Sequence, residues 1–155
     1  MISVVLVFTG GTLLVAGALM LTQGLIGRRS VTRELARQRI SFPVRDALPI
    51  SLARYAGLPV HTGSQARAFS ELIGVHVAKA TGGRTYAEIA DEWQAGGRAD
   101  DGLARLRDTA FMGQSLRGAL LGAYQAWQVT LLVVGLGALF MAIGVAFVAL
   151  ALQMS

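Results

Sequence analysis

LTQGLIGRRSVTRELARQRI, residues 21–40, changes character at Arg28. No ionisable side chain precedes that position. Arg28, Arg29, Arg33, Glu34, Arg37 and Arg39 then arrive within a single short stretch. A long uncharged run followed by a burst of arginine marks a change of solvent. It is the pattern of a helix leaving hydrocarbon, with the arginines at the boundary.

The other end of the chain repeats the partition. Residues 118–155 carry no charge, so all 14 basic and 9 acidic residues lie between positions 28 and 117. A soluble globule of 155 residues with 15% charged residues scatters its charge along its length. Residues 2–26 as a helix measure roughly 37 Å at ~1.5 Å per residue, against a hydrocarbon core of ~30 Å. Residues 129–152 are nearly as long. Lipid leaves no solvent for unpaired backbone groups, so each run is expected to be a helix. Two buried core helices are the plain alternative, but a chain this short cannot wrap both in protein. The first run lacks a basic leader and exceeds the apolar length of a signal peptide, so it reads as a retained anchor. The expected fold class is therefore an all-α membrane protein. Its two transmembrane helices flank a small helical extramembrane domain: residues 1–27 form the first span, 28–117 a basic juxtamembrane helix plus domain, and 118–155 an interfacial segment plus the second span.

Within the first run Gly10, Gly17 and Gly24 recur every seven residues. Two helical turns return almost to the same face, so these glycines form one smooth stripe. Gly137, Gly144 and Ala151 repeat the device near the other end, flanked by Ala138, Ala142 and Ala146. Lipid provides no hydrophobic drive between helices, and close backbone approach over small residues replaces it. The spans are expected to pack antiparallel along these stripes, or to offer them to partners.

The middle region reads as helical. The first helix continues past the arginines, with Ser41-Phe42-Pro43 as its expected stop. Phe42, Val44, Leu48 and Ile50 suggest a short extended stretch. Residues 62–83 read as a helix with Ser64 as N-cap and Gly82-Gly83 as the stop. Thr85 and Glu88 have capping-box spacing for the next helix. Asp100 or Asp101 caps a third, which can run into the second span unless Gly113, Gly118 or Gly122 interrupts it. Tyr124 and Trp127 fall where an interfacial aromatic belt is expected.

Basic residues near the spans set orientation. Six arginines from Arg28 to Arg45 follow the first span, and Arg105, Arg107 and Arg117 precede the second. That asymmetry assigns the middle region to the cytoplasm.

Chemistry is sparse. Without cysteine there are no disulfides, thiolate nucleophiles or cysteine metal sites. His61 and His76 are too few for a metal centre, and His76 reads as a packed histidine on the apolar face of its helix. Glu88, Asp91 and Glu92 share a face near a helix start, where acidic groups favour the dipole. No nucleophile elbow or phosphate loop occurs. Neither span contains an ionisable group of the kind that proton and ion pathways use. The basic balance lacks the interleaved aromatics and motifs of a nucleic-acid binder. No catalytic residue, metal or cofactor is expected, and no nucleic-acid partner.

Three stretches, RELARQRI (33–40), AFSELIGVHVAKATGGRTYAEI (68–89) and SLRGALLGAYQ (115–125), resemble a group of actinobacterial two-span integral membrane proteins of unknown function. ATGGRTYAEI is the most specific part. The resemblance implies a bacterial inner-membrane protein with a small helical domain. Members are sometimes mislabelled ring-opening dioxygenase subunits, a chemistry whose iron ligands this chain does not supply.

The expected function is that of a small accessory membrane protein, not an enzyme, which packs within or docks onto a larger assembly. Gly10, Gly17, Gly24, Gly137 and Gly144 would set helix approach. Arg28, Arg29, Arg33, Arg37 and Arg39 would contact lipid head groups and hold the topology. Tyr86, Ile89 and Trp93 would offer a protein contact or close the domain's own core. The alternative is a homo-oligomer forming a pore, lined by Thr9, Thr12, Gln128 and Thr130, or binding a lipidic ligand between helices.

Overall fold

The computed structural model describes residues 1–154, and it is all-helical, with no strand among them. Helix α1 spans Ile2–Arg37, α2 Gly63–Thr81, α3 Tyr86–Ala95 and α4 Asp101–Gln153. Two 3-10 turns, Arg45–Ala47 and Ile50–Tyr55, lie between α1 and α2. Helices α1 and α4 are both long and apolar enough to cross a membrane. Only 11% of the most apolar window in each is buried within the protein, whereas a soluble core helix would be mostly covered. The two helices are thus compatible with membrane insertion.

The chain divides into two compact units. The first comprises Met1–Arg33 and Ala126–Ser155, and the second Glu34–Gln125. These boundaries differ from the charge boundaries at residues 28 and 118. A charge boundary follows from residue type along the chain, whereas a compact unit is set by which residues touch.

Local signals explain each element's ends. Helix α1 stops at Arg37, short of Ser41-Phe42-Pro43, because the chain turns over at Arg39 in the left-handed region (φ 51°). The expected extended stretch from Phe42 to Ile50 is not formed. One antiparallel bridge pairs Ser41 with Pro59, where the Phe42 N–H donates to the Leu58 carbonyl at 2.9 Å. Pro43 and Pro49 cannot donate to a ladder. The intervening residues curl into 3-10 turns that leave Val44 and Ile50 exposed.

Helix α2 is capped by Thr62, not Ser64. The Gln65 N–H donates to Thr62 Oγ1, and Gln65 Oε1 accepts from the Thr62 N–H at 2.9 Å, a reciprocal box that satisfies two end donors. Gly82, at φ 63°, closes α2 in the left-handed conformation that favours glycine. The box of Thr85 and Glu88 starts α3. Asp100 Oδ1 accepts from the Gly102 and Leu103 N–H groups at 2.7 and 3.0 Å, and so starts α4. Gly113, Gly118 and Gly122 do not interrupt α4, which runs unbroken for 53 residues. A lone glycine costs a helix only about 1 kcal/mol, too little to break one held by its neighbours.

The core of the second unit is formed by Leu35, Phe42, Leu52, Val60, Leu72, Ile89 and Leu120, all buried. Phe42 organises one side. It stacks on Tyr55 and meets Phe69 edge-on, with centroids 5.1 Å away in both cases. Helix α2 lies against α4, with Gly113 directly under Val77 and Gly74 under the Arg117 guanidinium. His76 faces outward and is exposed, contrary to the packed position expected for it. Val77 and Ile73 are half-buried, so the covered face of α2 is rotated away from His76.

Candidate functional site

The most constrained arrangement lies within the first unit, where α1 and α4 run antiparallel with their glycines in register. A methyl placed at Gly10 would come 2.9 Å from the Gly144 carbonyl oxygen, and one at Gly17 would come 2.8 Å from that of Gly137. The reverse tests agree: methyls at Gly144 and Gly137 would meet the Gly10 and Gly17 carbonyl oxygens at 2.9 and 3.0 Å. Gly24 faces Val134 and Thr130. Each glycine therefore admits backbone of the opposite helix into the space a side chain would fill. Backbone approach this close allows Cα–H···O contacts, worth ~0.5–1 kcal/mol each. Ala151, at the end of the α4 stripe, is buried.

A second heptad interlocks with the glycines. Leu14 and Leu21 of α1 lie against Gly144 and Gly137, while Val134, Met141 and Val148 of α4 lie against Gly24, Gly17 and Gly10. Each large side chain fills a hole opened by a glycine opposite. The pattern is the knobs-into-holes seam of a heptad-repeat pair. Reading the glycines alone misses these partners, although their own seven-residue spacing is visible once the glycine stripe is taken as one half of a seam. Thr12 and Thr22 donate to the carbonyls of Phe8 and Ala18 on their own helix, and Thr130 donates to that of Trp127.

At one end of this unit the arginines gather. Arg28 lies over the Trp127 ring, 4.4 Å from its centroid, and Trp127 is largely buried. Arg28, Arg29 and Arg33 line a shallow groove of about 440 Å³ with Leu25 and Thr32. Arg37 belongs with the second unit and pairs with Glu34 at 3.2 Å, both side chains being exposed. Arg39 occupies the turn that ends α1. The five arginines thus have three kinds of setting, a groove in the first unit and an ion pair and a turn in the second.

The α3 residues separate by role. Ile89 is 0% exposed and closes the core, so it is not available for an external contact. Tyr86 is 40% exposed and tilts against Phe111, with 5.8 Å between centroids. Trp93 is half-buried beneath Arg107, 4.2 Å from its centroid, with Arg98 further off at 5.6 Å. Cation–π contacts of this sort hold the indole, and they leave only part of it to offer a partner. Glu88 is occupied in the capping box; its hydrogen bonds to Thr85, first the backbone N–H and then the hydroxyl, hold its carboxyl below the ordinary 4.5. Glu92 accepts from Arg84 at 2.6 Å. Two of the three acidic residues on α3 are therefore used internally, and no cluster suited to a metal ion occurs among the described residues.

The second unit also contains an apolar cleft of about 470 Å³ that sequence reading did not anticipate. Leu35, Ile40, Phe69, Ile73, Leu120 and Ala123 supply its apolar walls, and Glu34 and Gln38 its polar lining. Its walls come from α1, α2 and α4, so no single stretch of sequence signals it.

No protein-family model, curated protein or solved structure matches the chain.

Proposed function

We propose that this chain is a small accessory integral membrane protein whose glycine-seamed helix pair anchors a helical domain for docking onto a larger membrane assembly. The observation that carries the reading is the seam. Two membrane-long helices, hardly covered by protein, are locked together by complementary glycine and large-residue heptads with no charged side chain between them. Such a pair has no space for a conduit and no group that would carry protons or ions. It suits an anchor of fixed geometry. The glycine stripes are occupied within the chain, which leaves the remaining helix faces and the α2–α3 surface for a partner.

The asymmetry of arginine favours a middle domain on the cytoplasmic side of a bacterial inner membrane. In this reading Arg28, Arg29 and Arg33 lie at the head groups, where each basic residue near an anionic surface contributes about 1 kcal/mol.

Extraction in mild detergent followed by native mass measurement tests the proposal. Co-purification with unlike chains at fixed stoichiometry supports it. A lone monomer across several mild detergents and in lipid nanodiscs refutes it. A ring of identical chains supports the homo-oligomer instead. A lipidic ligand is the second reading, favoured by the 470 Å³ apolar cleft, whose size falls within the ~300–1,000 Å³ range of small-molecule sites. Its mark in the same experiment is a retained lipid mass that depends on Phe69 and Ile73.

A further inference from the structure

A smaller cleft in the second unit, about 300 Å³, has a different chemistry. Three separate segments supply its polar lining. Ser51, Arg54 and Tyr55 come from the second 3-10 turn, Ser64, Arg67 and Glu71 from α2, and Tyr124 from α4. Leu52 and Ala68, both buried, complete it.

Several of these groups already contact one another or the core. Tyr55 stacks on the buried Phe42 ring at an interplanar angle of 16°. Arg54 lies over the Tyr55 ring, 4.8 Å from its centroid. Arg67 Nη1 donates to the Tyr124 hydroxyl oxygen at 3.4 Å, and its Nε lies 3.4 Å from Glu71 Oε1. The buried Ser70 hydroxyl donates to the Arg67 carbonyl at 2.7 Å, which fixes that turn of α2. Arg54 forms no ion pair among the described residues.

We propose that this cleft binds a phosphodiester monoanion. Guanidinium groups present planar forks that match phosphate oxygens, and two of them reach one small cleft. The serine and tyrosine hydroxyls add donors that can turn toward the remaining oxygens. Glu71 sets the charge. It offsets Arg67, leaves Arg54 as the uncompensated cation, and makes the lining a match for one negative charge. A phosphomonoester dianion would meet the carboxylate at close range. The ligand is either the head group of a phospholipid or a soluble phosphodiester, since both present the same group. The inference goes beyond the anchor reading and does not rest on it.

The test uses the full-length protein in mild detergent with phosphatidylglycerol and, in a second arm, glycerophosphoglycerol, the same diester without acyl chains. Native mass spectrometry counts retained lipid, and titration gives affinity. The wild-type chain is expected to hold one more phosphatidylglycerol than the Arg54→Gln/Arg67→Gln double variant, whose affinity falls about tenfold or more, the scale of one lost charge-assisted hydrogen bond. Tyr124→Phe weakens binding a few-fold by loosening Arg67. Displacement by glycerophosphoglycerol at comparable concentration identifies a soluble ligand, and failure to displace identifies the lipid. Circular dichroism checks folding. Should the double variant unfold, Arg54→Gln alone, at an exposed and ion-pair-free position, carries the same expectation. Equal lipid retention by wild type and variants overturns the proposal, as does glycerol phosphate binding as tightly as the diester.

Discussion

Gly17→Leu is the sharpest test of the helix seam. Even the first carbon of a side chain at position 17 would come 2.8 Å from the Gly137 carbonyl oxygen, 2.9 Å from Met141 Cγ and 3.0 Å from the Met141 nitrogen. Two of these three atoms are backbone, so a rotamer change at Met141 cannot relieve the overlap. The helices must separate, and a separation sufficient for leucine also opens the Gly10 and Gly24 contacts in the same seam. Overpacking of a well-fitted contact costs about 1–3 kcal/mol. For the proposed membrane anchor no hydrophobic gain offsets that loss, because lipid acyl chains solvate leucine as well as protein does. The ratio of packed to separated helices should therefore fall roughly 5- to 150-fold. The native chain has no cysteine, so a single engineered pair can report on this without background. A methyl at Gly27 would lie 3.1 Å from Thr130 Cγ2, so the two side chains face each other across the seam. Gly27→Cys with Thr130→Cys should cross-link readily in native membranes, and adding Gly17→Leu should slow the cross-link. Gly11→Leu is the matched control. It lies on the same helix and has nothing within 4 Å of the added carbon. Equal cross-linking rates for Gly17→Leu and Gly11→Leu would show the seam argument to be wrong.

Three further expectations concern the second unit. Gly113→Ala places a methyl into Val77 and should destabilise by about 1–3 kcal/mol, whereas Gly118→Ala, with open space around it, should stabilise α4 by about 0.5–1 kcal/mol; thermal melts followed by circular dichroism compare them. Ile89→Ala should cost about 2–5 kcal/mol and Tyr86→Ala much less, because only the first empties a fully buried position. Thr85→Ala removes the α3 capping box and should cost about 0.5–2 kcal/mol. It should also flatten a pH dependence. The folded-state pKa of Glu88 is below its ordinary value, so its contribution is present above pH 4.5 and is lost as pH falls through the lowered value. Hydrogen exchange in α3 at pH 3 and pH 6 should therefore differ more in the wild type than in Thr85→Ala.

Much of this architecture was legible from residue order because it depends on neighbours within one helix. The charge-free ends, the Thr85–Glu88 box, the Gly82 stop and the seven-residue glycine stripes all follow from spacing along a single element. The capping box of Thr62 and Gln65 was equally visible, since it has the same three-residue spacing, and preferring Ser64 overlooked it. His76 failed for a different reason. Its apolar neighbours at helical spacing were real, but the covered face is chosen by where Gly113 and Gly74 let α2 meet α4. Gly113, Gly118 and Gly122 look alike in sequence, yet only Gly113 has a side chain packed against it.

The sequence by itself determined that two long apolar helices flank a charged helical region, because solvent preference is a property of each residue and sums locally. The tertiary structure alone decided which surfaces meet: that Gly17 faces Gly137, that Leu14 and Met141 fill the opposite holes, that Ile89 turns inward, and that Arg54, Arg67 and Tyr124 share one cleft. Those residues are far apart along the chain. Their meeting depends on the packing of whole helices, which no spacing within one stretch encodes.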